Sequence, residues 1–66
     1  MTQNIMGNGG ELLGVVQIND NGRSKLYYKP GMRLVARVIT EDNGDQSTYD
    51  ASSRFIGYGD LGVLEL

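Results

Sequence analysis

The 66-residue sequence contains no cysteine, no histidine and no tryptophan, and only one proline. A disulfide is therefore excluded as a source of stability. A conventional zinc or iron site is excluded as well, because such sites need thiolate or imidazole ligands. Without these two residue types the chain also lacks the Ser–His and Cys–His pairs that activate most nucleophiles. The absences predict a protein with no metal, no cofactor and no catalytic residues, which is not an enzyme.

A chain of this length can form only a small hydrophobic core. Domains of about 60 residues bury only about 60% of the surface that the unfolded chain exposes. Below roughly 70–80 residues, most need a disulfide, a metal, unusually regular packing or oligomerisation. Since cysteine and histidine are absent, we expect a homo-oligomer or a component of a larger protein assembly. The chain is also too short to enclose a pocket of about 300 Å³ or more, so no small-molecule substrate is expected.

Charge and hydropathy exclude further classes of protein. The net charge is −2 and the isoelectric point is about 4.7, opposite to the basic surface of a typical nucleic-acid-binding protein. No apolar run approaches the roughly 18 residues of a membrane span, and the first residues lack the basic and apolar regions of a signal peptide. These features predict a soluble protein that is made in the cytoplasm and does not bind membranes.

Glycine-rich turns divide the chain into short segments typical of β-strands. The segments are rich in Val, Ile, Leu and Tyr, and turn signals at intervals of about 8–12 residues indicate an all-β fold. The expected strands are Leu12–Asn19, Arg23–Lys29, Met32–Glu41, Gln46–Asp50, Arg54–Tyr58 and Leu61–Leu66. Residues 1–10 carry no charge and contain three glycines, so we expect a flexible, Gly-rich N-terminal arm. Residues 11–66 are expected to form a single small domain.

The turn sequences predict how these strands pair. Asp20–Gly22 and Pro30–Met32 fit three-residue loops, and Asn43–Gly44 fits a two-residue type I′ loop. These registers give an antiparallel meander with one apolar inner face. The side chains that they place in the core are Leu26, Leu34, Val38 and Tyr49. The C-terminal segments are expected to cover this face, so that about five to six short strands close into a small barrel or a two-layer sandwich.

The opposite face of the predicted meander is less polar than a typical solvent-exposed surface. The same registers align Val15, Tyr27 and Val35 in one row. The basic side chains around this row are Lys25, Lys29, Arg33 and Arg37. An apolar centre with an aromatic residue and a charged rim is typical of a protein–protein interface, although scattered exposed apolar side chains are also common. We therefore predict these residues as an interface, with Tyr27 as its anchor.

Two segments resemble ligand-binding motifs but favour turns. Gly57–Gly62 matches G-x-G-x-x-G, yet only four residues follow it, whereas a dinucleotide site needs a following helix and an acidic residue about 20 positions later. Glu41–Thr48 is rich in oxygen ligands but lacks the spacing of an EF-hand. We interpret the first segment as a turn or bulge and the second as the tip of a hairpin.

These features predict a non-enzymatic structural protein that acts by self-association or by packing on a larger particle, such as a capsid decoration protein of a virion. Basic residues concentrate between positions 23 and 37 and acidic residues after position 40, which favours contacts between copies. The alternative is a small OB-like or SH3-like module for nucleic acid or peptide, since Tyr27 and Tyr28 lie among basic residues as in a base-stacking sheet.

Overall fold

The computed structural model describes all 66 residues and contains six antiparallel strands in a single sheet, in the order β1-β2-β3-β4-β5-β6. The strands are β1 (Thr2–Met6), β2 (Leu12–Ile18), β3 (Ser24–Lys29), β4 (Arg33–Thr40), β5 (Gln46–Asp50) and β6 (Phe55–Tyr58). A 3₁₀ helix follows at Gly62–Glu65. Because each strand pairs with the next one along the chain, the fold is an up-and-down meander, and the predicted all-β class is confirmed.

The sheet has two free edges. β1 and β6 do not pair with each other, so the predicted closure into a barrel or sandwich is not confirmed. The segment predicted to be a flexible arm supplies the edge strand β1, in which Gln3 pairs with Val16 and Ile5 pairs with Gly14. The Gly-rich arm is therefore not confirmed either. Ile5 contributes to the sheet because its side chain packs against the core.

The core lies on one face of the sheet, which we call the covered face. Val16, Tyr27, Ala36 and Val38 are buried there and form one cluster. Residues 59–66, which we call the strap, cross this face, since the 3₁₀ helix contacts β3 and β4 and Leu66 packs against the cluster. The predicted strand Leu61–Leu66 is thus replaced by a helical turn, although these residues do cover the apolar face as expected.

Two glycines let the strap approach the sheet closely. A side chain at Gly62 would overlap the ring of Tyr27, and a side chain at Gly14 would overlap Leu66 and the carbonyl of Tyr28. The covered face is therefore filled by an aromatic ring lying against backbone, an arrangement that a larger residue at either position would prevent.

The predicted register between β2 and β3 is wrong by one residue. The loop has four residues, Asp20–Arg23, because the N–H of Asn19 donates to the carbonyl of Ser24 at 3.1 Å. Two side-chain amides stabilise this longer loop: the Oδ1 of Asn19 accepts the N–H of Ser24, and the Oδ1 of Asn21 accepts the N–H of Arg23. Asparagine commonly supports turns through such bonds to nearby backbone.

The predicted register between β4 and β5 is wrong for a similar reason. The N–H of Glu41 donates to the carbonyl of Asp45 at 2.7 Å, so the loop is the three-residue Asp42–Gly44. Gly44 has a φ of 90°, the left-handed conformation required at the end of such a loop. The Oδ1 of Asn43 accepts the N–H of Asp45 at 2.9 Å. The segment Glu41–Thr48 thus includes a hairpin loop, as predicted.

The loop between β3 and β4 is confirmed, but the pairing beyond it changes. Lys29 lies opposite Arg33 and Tyr28 opposite Leu34, as the three-residue loop requires. A bulge between Tyr27 and Tyr28 then shifts the register, so that Tyr27 pairs with Ala36 rather than with Val35. Because a one-residue shift exchanges the two faces of a strand, the predicted row of Val15, Tyr27 and Val35 does not form.

The shifted registers also change the core. Of the four predicted core residues, Val38 alone is buried, and Leu34 is exposed. Leu26 pairs with Arg37, and Arg37 pairs with Tyr49, on the face opposite the core. Thr48 lies beside Val38 instead and is fully buried.

Candidate functional site

No other element crosses the face of the sheet opposite the strap, which we call the open face. Strand pairing places three rows of side chains on it. The first row crosses all six strands and consists of Thr2, Gln17, Leu26, Arg37, Tyr49 and Phe55. The second row is Asn4, Val15, Tyr28 and Leu34. The third row is Ser24, Ile39, Ser47 and Tyr58. Arg37 is the one charged residue in the three rows.

The composition of the open face differs from that of an ordinary solvent-facing sheet. Antiparallel sheets with one solvated face normally alternate apolar residues inward with polar residues outward. Here Val15, Leu26 and Ile39 on the central strands are only half-buried, and no segment of the chain covers them. Eight of the fourteen residues in the three rows are apolar or aromatic and one is charged, a composition more typical of interaction surfaces than of solvated ones.

Three aromatic rings form a cluster at the β6 side of the open face. The rings of Tyr49 and Phe55 have centroids 5.8 Å apart, those of Phe55 and Tyr58 5.1 Å apart, and both pairs have edge-to-face geometry. Phe55 is 51% exposed and Tyr58 is 78% exposed. Edge-to-face pairs are a favourable arrangement for aromatic rings, so the cluster presents an ordered apolar surface to solvent.

Arg37 supplies the single charge of the open face. Its guanidinium lies over the ring of Tyr49, 5.4 Å from the centroid, in a cation–π geometry. One terminal nitrogen lies 3.5 Å from the Oγ of Ser53 in the β5–β6 loop, whereas its Nε is buried without a hydrogen-bond partner. No carboxylate pairs with this cation. The charge is directed along the sheet toward the loop at its rim.

Tyr27, predicted to anchor an interface, lies in the core instead. It is 5% exposed, and its hydroxyl donates to the carboxylate of Asp60 at 2.9 and 3.0 Å. The Nζ of Lys25 donates to the same carboxylate at 2.9 Å, and so does the backbone N–H of Gly62 at 3.1 Å. This network, which we call the strap latch, ties the strap to β3. An exposed anchoring role for Tyr27 is therefore wrong for this fold.

The latch perturbs the acidity of both of its oxygen acids. Burial raises the pKa of Tyr27 to about 12, and the hydrogen bond to Asp60 and its negative charge act in the same direction. Burial also raises the pKa of the Asp60 carboxyl, but the hydrogen bonds from Lys25, Gly62 and Tyr27 outweigh it, and the pKa lies below its ordinary value. The phenol is thus protonated and the carboxylate ionised at neutral pH, which suits a structural contact rather than proton transfer.

The other predicted interface residues do not form one cluster. Val15 and Arg37 lie on the open face, whereas Val35 packs against the core cluster and Lys25 belongs to the strap latch. Lys29 and Arg33 lie opposite each other beside the β3–β4 loop. Contact of these side chains with a partner stays a prediction.

The aromatic cluster and the latch are features that the sequence interpretation missed. The aromatic cluster depends on the pairing of β4 with β5, where the predicted register was off by one, and on the pairing of β5 with β6. The latch depends instead on contacts between β3 and the strap. The one local signal for the cluster is the presence of two aromatic residues, Phe55 and Tyr58, in a short strand that also contains Gly57. The side chain of Asp60 has no comparable signal, because its partners Lys25 and Tyr27 are distant in sequence.

No group of three or more acidic side chains is placed to hold a metal ion, and no helix is both long and apolar enough to span a bilayer. Comparison with protein-family models, with curated proteins and with solved structures finds no match to this chain. The open face and the free edges of the sheet are therefore the candidate functional surfaces of this chain.

Proposed function

We propose that the chain is a non-enzymatic structural protein that acts by self-association, packing its open face against the open face of a second copy. The observation that supports this proposal is the single charge among the three rows of side chains on that face. A face with one charge can meet a copy of itself without the like-charge repulsion that opposes most self-contacts.

The size of the open face is sufficient for such a contact. Six strands about 4.8 Å apart, with lengths from four residues in β6 to eight in β4 and a rise of about 3.3 Å per residue, cover about 500 Å². Two copies would bury about 1,000 Å² in total, which is near the lower limit for a specific protein–protein interface.

Face-to-face packing would also give the open face the layer that it lacks. Sheets pack about 10 Å apart with interdigitated side chains, so the two-layer sandwich expected within one chain would form between two chains. Arg37 is compatible with this arrangement, because its guanidinium lies over Tyr49 and extends toward Ser53 at the rim. The charge would then stay beside solvent at the edge of the interface.

The same surface would serve attachment to a larger assembly. A small all-β chain with an apolar face fits the role of a capsid decoration or minor structural protein, made in the cytoplasm and incorporated into a virion. Binding to a particle without prior self-association would be a variant of the same function, with the particle surface in place of the second copy.

The test of self-association is a pair of matched lysine substitutions. Leu26 lies in the central row of the open face, and Leu64 is 78% exposed on the strap. Leu26→Lys should lower the assembled mass measured by light scattering at two concentrations, because it adds an unpaired charge to the contact, while Leu64→Lys should leave the mass unchanged. Thermal melts of both variants check that the fold is retained. A wild-type chain that is monomeric at high micromolar concentration would falsify self-association through the open face.

A second candidate function is supported by the aromatic cluster. Exposed rings beside a stacked guanidinium resemble the platforms on which single-stranded nucleic acids stack their bases. The open face offers one cation, however, and Arg23 and Lys25 are already paired with Asp42 and Asp60. Titration with a fluorescent oligothymidylate at 50 and 200 mM salt separates the candidates. Binding with a steep salt dependence would favour nucleic acid, and absence of binding would leave protein association.

A further inference from the structure

We propose that β6 pairs antiparallel with β6 of a second copy around a two-fold axis, continuing the sheet across two chains. This inference rests on the self-association proposed above, and it adds a second contact that is separate from the open face. The partner is another copy of this chain, and the recognition consists of backbone pairing, aromatic contacts and two ion pairs.

The free edge of β6 is short and contains a bulge between Phe55 and Gly57, but it lacks the charged and proline residues that normally discourage edge pairing. Natural edge strands carry charges, prolines or inward-pointing lysines that discourage association. β6 has none of these, and its three non-glycine side chains, Phe55, Ile56 and Tyr58, are all large, apolar and exposed. The opposite edge, β1, is also uncharged, but three of its five side chains are small or amide residues. β6 is therefore the edge that gains more from pairing.

The chain leaves this edge accessible. After β6, the strap turns back over the covered face toward β3 and β4, so the outer edge of β6 is not blocked by its own C-terminal segment. Phe55 and Tyr58 each pair with β5 residues of the open face. A two-fold axis between two β6 strands would place Phe55 of one copy beside Tyr58 of the other. The two aromatic clusters would then become continuous, and cross-strand aromatic pairs stabilise such contacts.

Charges at the two ends of β6 complement each other in this arrangement. Arg54 precedes the strand and has no carboxylate partner within the chain. Beyond the other end of the strand lies an open cleft of about 500 Å³ whose lining includes Tyr58 and Asp45. The carboxylate of Asp45 accepts a side-chain bond only from the amide of Asn43, at 3.1 Å. Antiparallel pairing brings Arg54 of one copy to this cleft in the other, about two strand spacings or about 10 Å from Asp45.

An arginine side chain spans most of that distance when extended, so each two-fold contact includes two Arg54–Asp45 ion pairs. The axis of an antiparallel strand pair is perpendicular to the sheet, because paired residues point to the same face. Both open faces therefore end up on the same side of the extended sheet. The edge contact leaves the open face free, and the two contacts can form together.

Reciprocal charge reversal tests the edge contact. Arg54→Glu and Asp45→Arg should each raise the dissociation constant of the edge contact by about tenfold or more, since like charges then meet. The double variant restores opposite charges and should return the constant to within about threefold of wild type. Asp20→Arg is the matched control, because Asp20 is an exposed acid in another hairpin loop, and it should have no effect. The measurement is sedimentation velocity over a dilution series, in the Leu26→Lys background as well as in wild type.

The outcomes separate this inference from the proposed function. Single reversals that leave the dissociation constant unchanged, or a double variant no better than the single ones, overturn the edge contact. If Leu26→Lys still lowers the assembled mass in that case, the open-face function stands without the edge. If the reversals weaken association and the double variant rescues it while Leu26→Lys has no effect, the edge contact stands and the open-face contact is wrong.

Discussion

At the scale of single residues, Thr48 shows how the core accommodates a buried polar group. It occupies the position that the predicted register assigned to Tyr49, and it is fully buried. Its Oγ1 donates to the carbonyl of Gly59 at 2.7 Å and accepts the N–H of Leu61 at 3.0 Å. The hydroxyl thus satisfies two backbone groups at the start of the strap, which explains why a threonine is stable beside Val38.

Removing the hydroxyl of Thr48 should lower the free energy of unfolding by more than the small change in side-chain volume implies. Thr48→Val keeps the shape but leaves the carbonyl of Gly59 and the N–H of Leu61 without partners, and we expect a loss of about 1–3 kcal/mol in the free energy of unfolding. Thr48→Ser keeps both hydrogen bonds and should cost about 0.8 kcal/mol for the lost methyl group. Urea unfolding of the two variants measures the difference. Equal losses would show that the hydroxyl contributes nothing to the strap.

Tyr27 should make stability depend on alkaline pH. Its pKa is about 12 in the folded chain against 10.0 for the ordinary phenol, so the folded state holds the proton more tightly than the unfolded state. The resulting stabilisation is complete below pH 10 and is lost as the pH rises from about 10 to about 12. Urea unfolding across this range should show a steeper decline for wild type than for Tyr27→Phe. Parallel curves would contradict the shift.

At the scale of elements, the sequence predicted where five strands lie but not how they pair. β5 was predicted with its observed bounds, and β2, β3, β4 and β6 within one or two residues, because turn residues and β-branched residues act locally. The pairing depends on whether a loop closes with two, three or four residues. In this chain the loop lengths are stabilised by hydrogen bonds that the Oδ1 atoms of Asn19, Asn21 and Asn43 accept from nearby backbone N–H groups.

The candidate site was harder to predict than the strands for the same reason. A shift of one residue exchanges the two faces of a strand. Two errors of register therefore made the sequence interpretation place Tyr27, which is buried in the core, on the surface, and place Tyr49, which lies on the open face, in the core. The strap was also mistaken for a strand. Its helical turn depends on Asp60, whose partners Lys25 and Tyr27 lie more than thirty residues earlier in the chain.

The strap should loosen at acid pH. The pKa of Asp60 is lowered in the folded chain, so its ionised latch stabilises the fold above the ordinary carboxyl pKa of about 4, and this contribution disappears as the pH falls through the lower folded value. Asp60→Asn should be less stable than wild type at neutral pH, and the difference should narrow below about pH 4. Urea unfolding at pH 7, 4 and 2.5 provides the comparison, with Asp20→Asn as a control for the general effect of acid. A constant difference at all three values would contradict the role of the latch.

At the scale of the whole molecule, the two proposed contacts have different symmetry axes. The open-face contact relates two stacked sheets by an axis parallel to the sheets, and the β6 contact relates two adjacent sheets by an axis perpendicular to them. Two such axes that cross at right angles generate a closed tetramer with D2 symmetry, a common form of small assemblies. The two contacts would bury the open face and the β6 edge of every copy, leaving β1 as the free edge of each sheet.

The mass of the assembly therefore distinguishes a closed particle from an open array. We expect the wild-type chain to reach the mass of four copies of 7.2 kDa and to stay there as the concentration rises, because D2 symmetry uses both contacts fully. Leu26→Lys and Arg54→Glu should each shift the assembly from four copies toward two, since each weakens one of the two contacts. The combined variant should be monomeric. A mass that grows continuously with concentration would mean that the axes do not meet and that the contacts build an extended array; a dimer that neither substitution dissociates would require a third surface.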